Sequence, residues 1–237
     1  GRALLVWMAD VKLLVATAGA AWALTRWLGI PARSEPAPQA QGPEKKRTQD
    51  MVREAYTSTV ERTGSSCCTS SVTGVQGELM GYTREQLNEA GDAGQILGCG
   101  TPVKLALLQP GETVVDLGSG EGLDCFLAHK EVGTEGHVIG VDMTPAMLSS
   151  ARNKASAKGL EREVEFRLGE IEHLPVADAS ADVIISNCVI NLSPDKAQVY
   201  KEMNRILRPG GRIAISDVVQ TAELPKALLS EAALACC

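Results

Sequence analysis

Aromatic side chains are scarce in this chain of 237 residues, 3% in all: three Trp, three Tyr and two Phe. Stacking platforms for bases or sugars are therefore not expected, and the core must come mainly from Ala, Val, Leu and Ile. Positive charge is also in deficit. Against 29 Asp and Glu stand 23 Lys and Arg, a formal net charge of -6. Nucleic-acid binding rests on clustered basic residues that release counterions, so a phosphate-backbone partner is set aside. Neither a C-x-x-C pair nor an H-x-x-x-H pair occurs, which removes the common structural zinc sites. Within the first thirty residues the longest uncharged run, 13–25, is shorter than the roughly 18–20 residues a membrane-spanning helix needs.

What remains is an ordinary globular makeup, 44% hydrophobic and 22% charged, able to bury the core of one domain with a tail or two. Seven cysteines stand out: Cys67, Cys68, Cys99, Cys125, Cys188, Cys236 and Cys237. Their odd number and two adjacent pairs argue against a secreted disulfide framework, and free thiols in a reducing, cytoplasmic compartment are expected. Taken singly, each also reads as a small buried hydrophobe. Cys125, among apolar neighbours on a helix, fits that reading.

Residues 1–30 are apolar, with Lys12 ahead of the apolar run. They read as a targeting peptide or a fragment artefact, with an organelle as the alternative location. Residues 31–48 carry Pro31, Pro36, Pro38 and Pro43 and read as an extended linker. The folded domain, residues 49–237, is expected to open with a helix over 48–62. Thr83 and Gln86 have the spacing of a capping box at the start of a short helix. Beyond Pro110, apolar stretches at 113–117, 137–141, 164–168, 181–186 and 212–216 predict buried parallel strands. Helical segments at 122–132, 145–159 and 196–207 lie between them, the last closed by Arg208-Pro209-Gly210-Gly211. The alternation predicts an α/β fold, a doubly wound Rossmann-like sheet with a helical N-terminal extension.

At the exit of the first expected strand stands Val114-Val115-Asp116-Leu117-Gly118-Ser119-Gly120-Glu121-Gly122. Glycines there let the backbone turn sharply and a ligand come close. The spacing is G-x-G-x-G, and Glu121 with no Lys beside it argues against a phosphate site. Asp116 suits an ammonium group. Asp142, followed by Met143, ends the second strand where a carboxylate can accept both hydroxyls of a ribose. Gly169-Glu170-Ile171-Glu172 adds acid at the third strand end.

These residues together resemble the class I S-adenosylmethionine-dependent methyltransferases. The resemblance implies cofactor contacts at Asp116, Gly118, Ser119, Gly120, Asp142, Met143, Glu170, Ile171 and Asn187. Three further strings, Ser186 to Lys196 (SNCVINLSPDK), Gly98-Cys99-Gly100 and Asp217 to Pro225 (DVVQTAELP), resemble the arsenite methyltransferase family. That likeness implies methyl transfer to thiol-bound trivalent arsenic, with Cys99, Cys188 and either Cys236 or Cys237, here Cys237, as arsenic ligands. Cys67 and Cys68 match the family's additional cysteine region, implying arsenic delivery or thiol exchange. Tyr56 resembles a tyrosine near the cofactor. Soft thiolates suit a soft centre, and each methyl gained requires electrons from an external thiol reductant of the glutathione or thioredoxin type. Arsenite or its thiol conjugate is the implied partner, and a monomer the implied state. The nucleophile is an arsenic lone pair, so His129, His137 and His173 need no catalytic role. Complete members of the fold carry two further strands, and the family a C-terminal domain, so a C-terminally truncated sequence is expected. Two other functions share features with this one: methyl transfer to a small organic acceptor such as a quinone, and metalloid binding without catalysis.

Overall fold

The computed structural model describes residues 43–61, 75–90 and 98–219. Four helices precede the sheet: α1 (Pro43–Glu61), α2 (Val75–Leu79), α3 (Arg84–Ala90) and α4 (Pro102–Ala106). Then strands and helices alternate: β1 (Thr113–Leu117), α5 (Leu123–Val132), β2 (His137–Asp142), α6 (Pro145–Lys158), β3 (Val164–Leu168), β4 (Ala181–Asn187), α7 (Lys196–Ile206) and β5 (Leu207–Ser216). The five strands form one sheet in the order β3-β2-β1-β4-β5, every neighbouring pair parallel. The order reverses beside β1, and that is where open α/β sheets hold their ligands.

Alternation along the strands divides the core. Val114 packs on one face with Val138, Leu127, Leu148 and Ala151. Its neighbour Val115 packs on the other with Ile139, Ile184, Val199 and Met203. Thus α5 and α6 cover one side and α7 the other, so the sheet is doubly wound, as its sequence pattern predicts. Local signals fix the helix ends. Thr83 and Gln86 form the reciprocal capping box: the Thr83 N–H donates to Gln86 Oε1 at 2.8 Å and the Gln86 N–H to Thr83 Oγ1 at 3.2 Å. Asp195 caps α7 by accepting from the Gln198 N–H. Gly159, left-handed at φ 66°, ends α6.

Two boundaries differ from expectation. Helix α1 begins at Pro43, inside the stretch read as extended linker, because proline is favourable in a first helical turn. Strand β5 begins at Leu207, directly after α7. The Arg-Pro-Gly-Gly stretch expected to close the helix lies within the strand. Leu207 pairs with Ala181 and Arg212 with Val183, so two steps on β4 oppose five on β5. This bulge is held by Arg208, whose Nη1 lies 2.7 Å from both carboxylate oxygens of Asp182. Among the described residues no helix is long and apolar enough to cross a membrane. The apolar segment 1–30 lies outside the described residues.

Candidate functional site

The carboxyl ends of β1, β2 and β4 open onto a cavity walled by α1 and by the Gly118–Gly122 turn. Glycine is required at Gly118, where φ is +69° and a Cβ would lie 2.5 Å from a Val189 methyl. At Gly120 φ is +52° and a Cβ would meet nothing within 4 Å, so this residue borders open space that a ligand can fill. The Ser119 hydroxyl, in the same turn, is buried without a hydrogen-bond partner among the described residues.

The lining is one-sided in charge. Asp116, Glu121, Asp124, Asp142 and Glu172 all contribute to it, and no Lys, Arg or His does among the described residues. Glu121 pairs outward with Lys154 of α6 at 2.9 Å. Asp142 accepts from the Gly120 N–H at 2.9 Å and the Thr144 N–H at 2.8 Å, which ties the turn to the end of β2. Burial nonetheless raises its pKa. Asp116 is pushed well above the ordinary carboxylate value, first by burial and then by the neighbouring Asp124 charge. Burial also lifts Asp124 to about 6, against hydrogen bonds from Asn187 and Tyr82 that favour its ionised form. Carboxylates gathered where they repel one another are satisfied by a cation. A ligand carrying ammonium or sulfonium charge, hydroxyl groups and no phosphate therefore fits, and a pyrophosphate does not.

Most of the residues named as cofactor contacts reach this cavity. Asp116, Gly118, Ser119, Gly120, Asp142, Met143, Ile171 and Asn187 line it, as do Tyr56 and Gln49 from α1. Glu170 is the exception. It turns into a neighbouring cleft with Met143 and His173, drawn there by Arg53 of α1 at 3.5 Å. Glu172 takes the place on the cavity wall, buried and accepting from the Ser193 hydroxyl and, at 3.4 Å, from Gln49 Nε2. No local signal separates the two acids, because both lie in the turn beyond the end of β3 at Leu168.

Cys99 and Cys188 come together. They are 89 residues apart in sequence, their α-carbons are 6.0 Å apart, and they are joined as a disulfide, where free thiols had been expected. Cys188 borders the cavity. Gly98 and Gly100 are needed for this approach. A Cβ on Gly98 would stand 2.8 Å from the Asn187 amide nitrogen, and one on Gly100 would overlap the Ser216 hydroxyl. Cys125 is buried and unpaired in any disulfide, as a core cysteine should be, and it donates to Asp116 Oδ2 at 3.3 Å. Cys67, Cys68, Cys236 and Cys237 lie outside the described residues. Sequence reasoning missed Tyr82 and Asp124, which hydrogen-bond to each other at 2.8 Å on the cavity wall.

Known proteins resemble this chain in sequence and fold. A family model described as a methyltransferase domain matches residues 108–236. The arsenite methyltransferase of Halobacterium salinarum is 50% identical over 197 residues, 77% of this chain and 50% of the relative. That of Mus musculus is 38% identical over 163 residues, 65% of this chain and 43% of the relative. The crystal structure of an arsenic(III) S-adenosylmethionine methyltransferase from Chlamydomonas reinhardtii superposes with a TM-score of 0.53 at 38% identity, covering 68% of this chain and 56% of that one. The chain spans about half the length of the curated relatives it matches. With the family model covering more than half of its 237 residues and its parallel sheet in the Rossmann-like order of class I methyltransferases, the chain belongs to the methyltransferase domain family.

Proposed function

We propose that this chain forms the cofactor-binding and arsenic-binding part of an arsenite methyltransferase, which moves a methyl group from S-adenosylmethionine to trivalent arsenic held by cysteine thiolates. The observation that carries the proposal is the convergence of Cys99 with Cys188, which lines a cavity whose charged side chains, among the described residues, are all acidic. An organic acceptor gives no reason to gather two thiols from segments 89 residues apart in sequence.

Bound S-adenosylmethionine supplies an electrophilic methyl on a positively charged sulfur. The chain's residues have three tasks. Asp116 and Asp142 receive its ammonium and ribose hydroxyls at the ends of β1 and β2, and the orphaned Ser119 hydroxyl is available to a polar group of the same ligand. The acidic wall favours the sulfonium charge up to the point of transfer. Helix α1 covers the cavity with Gln49, Val52 and Tyr56 and keeps water away from it. On the acceptor side, Cys99 and Cys188 act once reduced, each thiolate displacing one hydroxyl from arsenite. Cys237 supplies the third ligand, and Cys67 and Cys68 deliver arsenic or exchange electrons with it. The arsenic lone pair displaces the sulfonium sulfur, and holding the two reactants near contact supplies much of the acceleration. Methylation raises arsenic from the trivalent to the pentavalent state. Two electrons then return from a thiol pair, which becomes a disulfide, and an external glutathione- or thioredoxin-type reductant reopens it. The chain works as a monomer in a reducing, cytoplasmic compartment.

The test incubates the protein with S-adenosylmethionine, arsenite and glutathione and identifies arsenic species by mass spectrometry, with a quinol offered in parallel. Methylated arsenic should form, and Cys188→Ser should abolish it. A folded, cofactor-bound protein that neither binds arsenite nor methylates it, or that methylates only the quinol, overturns the proposal.

A further inference from the structure

The segment carrying Cys99 is held by one side chain. The Cys99 N–H donates to Asn187 Oδ1 at 3.0 Å, and Asn187 Nδ2 donates to the Gly100 carbonyl at 2.8 Å. A single amide therefore grips the backbone on both sides of the Cys99 side chain. Asn187 ends β4, and the next residue is Cys188. The other cysteine is thus covalently attached to the gripping residue. Cys188 is itself fixed: its φ is +53°, and its N–H donates to the Ser216 carbonyl at 2.8 Å.

Behind the amide lies a buried support. Asn187 Nδ2 is 3.0 Å from both Asp124 Oδ2 and Tyr82 Oη, and Tyr82 Oη donates to Asp124 Oδ1 at 2.8 Å. Tyr82 and Asp124 are both buried, so they hold the amide in one orientation where water competes little for its hydrogen bonds. The cavity wall and the thiol pair therefore share one polar network.

We propose that Asn187, oriented by Tyr82 and Asp124, is the positioning residue that sets the Cys99 and Cys188 sulfurs at bonding distance. The amide acts on the pair through its hydrogen bonds to the backbone of residues 99 and 100. Its effect on arsenite rests on the function proposed above, whereas its effect on the pair itself does not. Two thiols on separate segments close a disulfide according to their effective concentration, which falls when either segment is released. The same preorganisation is required to chelate arsenic.

The experiment equilibrates the full chain with mixtures of reduced and oxidised glutathione. The disulfide takes two electrons from two glutathione thiols, giving two protein thiols and one glutathione disulfide. Differential alkylation and peptide mass spectrometry read the oxidised fraction of Cys99–Cys188 alone. Asn187→Ala should lower the effective concentration of the pair at least tenfold, about 30 mV for a two-electron couple, at a pH where Asp124 is ionised. Tyr82→Phe keeps the amide but removes one of its supports, so it should shift the equilibrium the same way by about threefold. Should Asn187→Ala fail to fold, Tyr82→Phe decides alone. Folded variants with the parent equilibrium would overturn the proposal. A parallel measurement of arsenite binding by the reduced chains separates the two readings, because loss of arsenite binding in the parent would strike the proposed function and leave the glutathione result standing.

Discussion

Asp124 stands on the first turn of α5 with its carboxylate buried between the Tyr82 hydroxyl and the Asn187 amide. Its pKa is raised by burial to about 6, so the folded apoprotein favours the protonated acid. The sign follows: this group stabilises the fold below the ordinary carboxylate pKa, and that contribution is lost as pH rises through about 6. At neutral pH the ionised, unneutralised carboxylate costs on the order of 3 kcal/mol. Asp116 adds to this in the same direction. A cation entering the cavity recovers part of the cost, so S-adenosylmethionine affinity should rise several-fold between pH 5 and pH 7.5 and Asp124→Asn should flatten the rise. Titration calorimetry across that range measures both, and a parent affinity independent of pH would refute the argument. Asp116 and Asp142 were legible in the sequence because each sits at a strand end near glycines. Asp124 and Tyr82 were not, because one lies on a helix, the other 42 residues earlier, and only the folded chain joins them. Cys99 and Cys188 were named through resemblance, and no spacing rule brings together residues so far apart.

At the scale of elements, the glycine turn does two separable things. Gly118 fits against Val189, the residue after Cys188, while Gly120 faces open space. Placing a side chain at either position forces a left-handed backbone on a non-glycine residue, which costs about 1–2 kcal/mol. Gly118→Ala must also displace Val189, so it should destabilise the apoprotein more than Gly120→Ala, by roughly 1–3 kcal/mol beyond that strain. Gly120→Ala should cost the apoprotein only that backbone strain and lose cofactor affinity at least tenfold. Urea unfolding with and without cofactor separates these effects, and equal unfolding midpoints for the two apoproteins would contradict the assignment. Strand and helix identities beyond Pro110 were readable because buried parallel strands show as short apolar runs between helical segments. The early start of β5 was hidden, since Arg-Pro-Gly-Gly carries every local mark of a turn. It is held in the strand by the non-local pairing of Leu207 with Ala181 and of Arg208 with Asp182. The start of α1 was hidden for a related reason: proline marks both linkers and first helical turns, and composition does not distinguish them.

Over the whole molecule, the excess of acid serves a cavity as well as a surface. Its lining among the described residues holds five carboxylates and no basic side chain, so ligand binding and folding must be coupled with a definite charge preference. A ligand that binds only the folded state stabilises it by about 2.7 kcal/mol when present at a hundred times its dissociation constant. For a domain of this size, that corresponds to an increase of roughly 5–10 °C in melting temperature. S-adenosylmethionine should produce such an increase. S-adenosylhomocysteine, which lacks the sulfonium charge, should produce less at equal concentration, and a pyrophosphate-bearing dinucleotide none, because its two negative charges would enter beside Asp116 and Asp142 with no cation to meet them. The difference between the first two ligands should persist in high salt, because Asp116, Asp124 and Glu172 are buried and screening acts mainly on solvent-exposed charges. Calorimetric scans with each ligand at low and high ionic strength test this. Equal stabilisation by the dinucleotide would mean that backbone N–H groups of the glycine turn, and not the acids around it, govern what the site accepts.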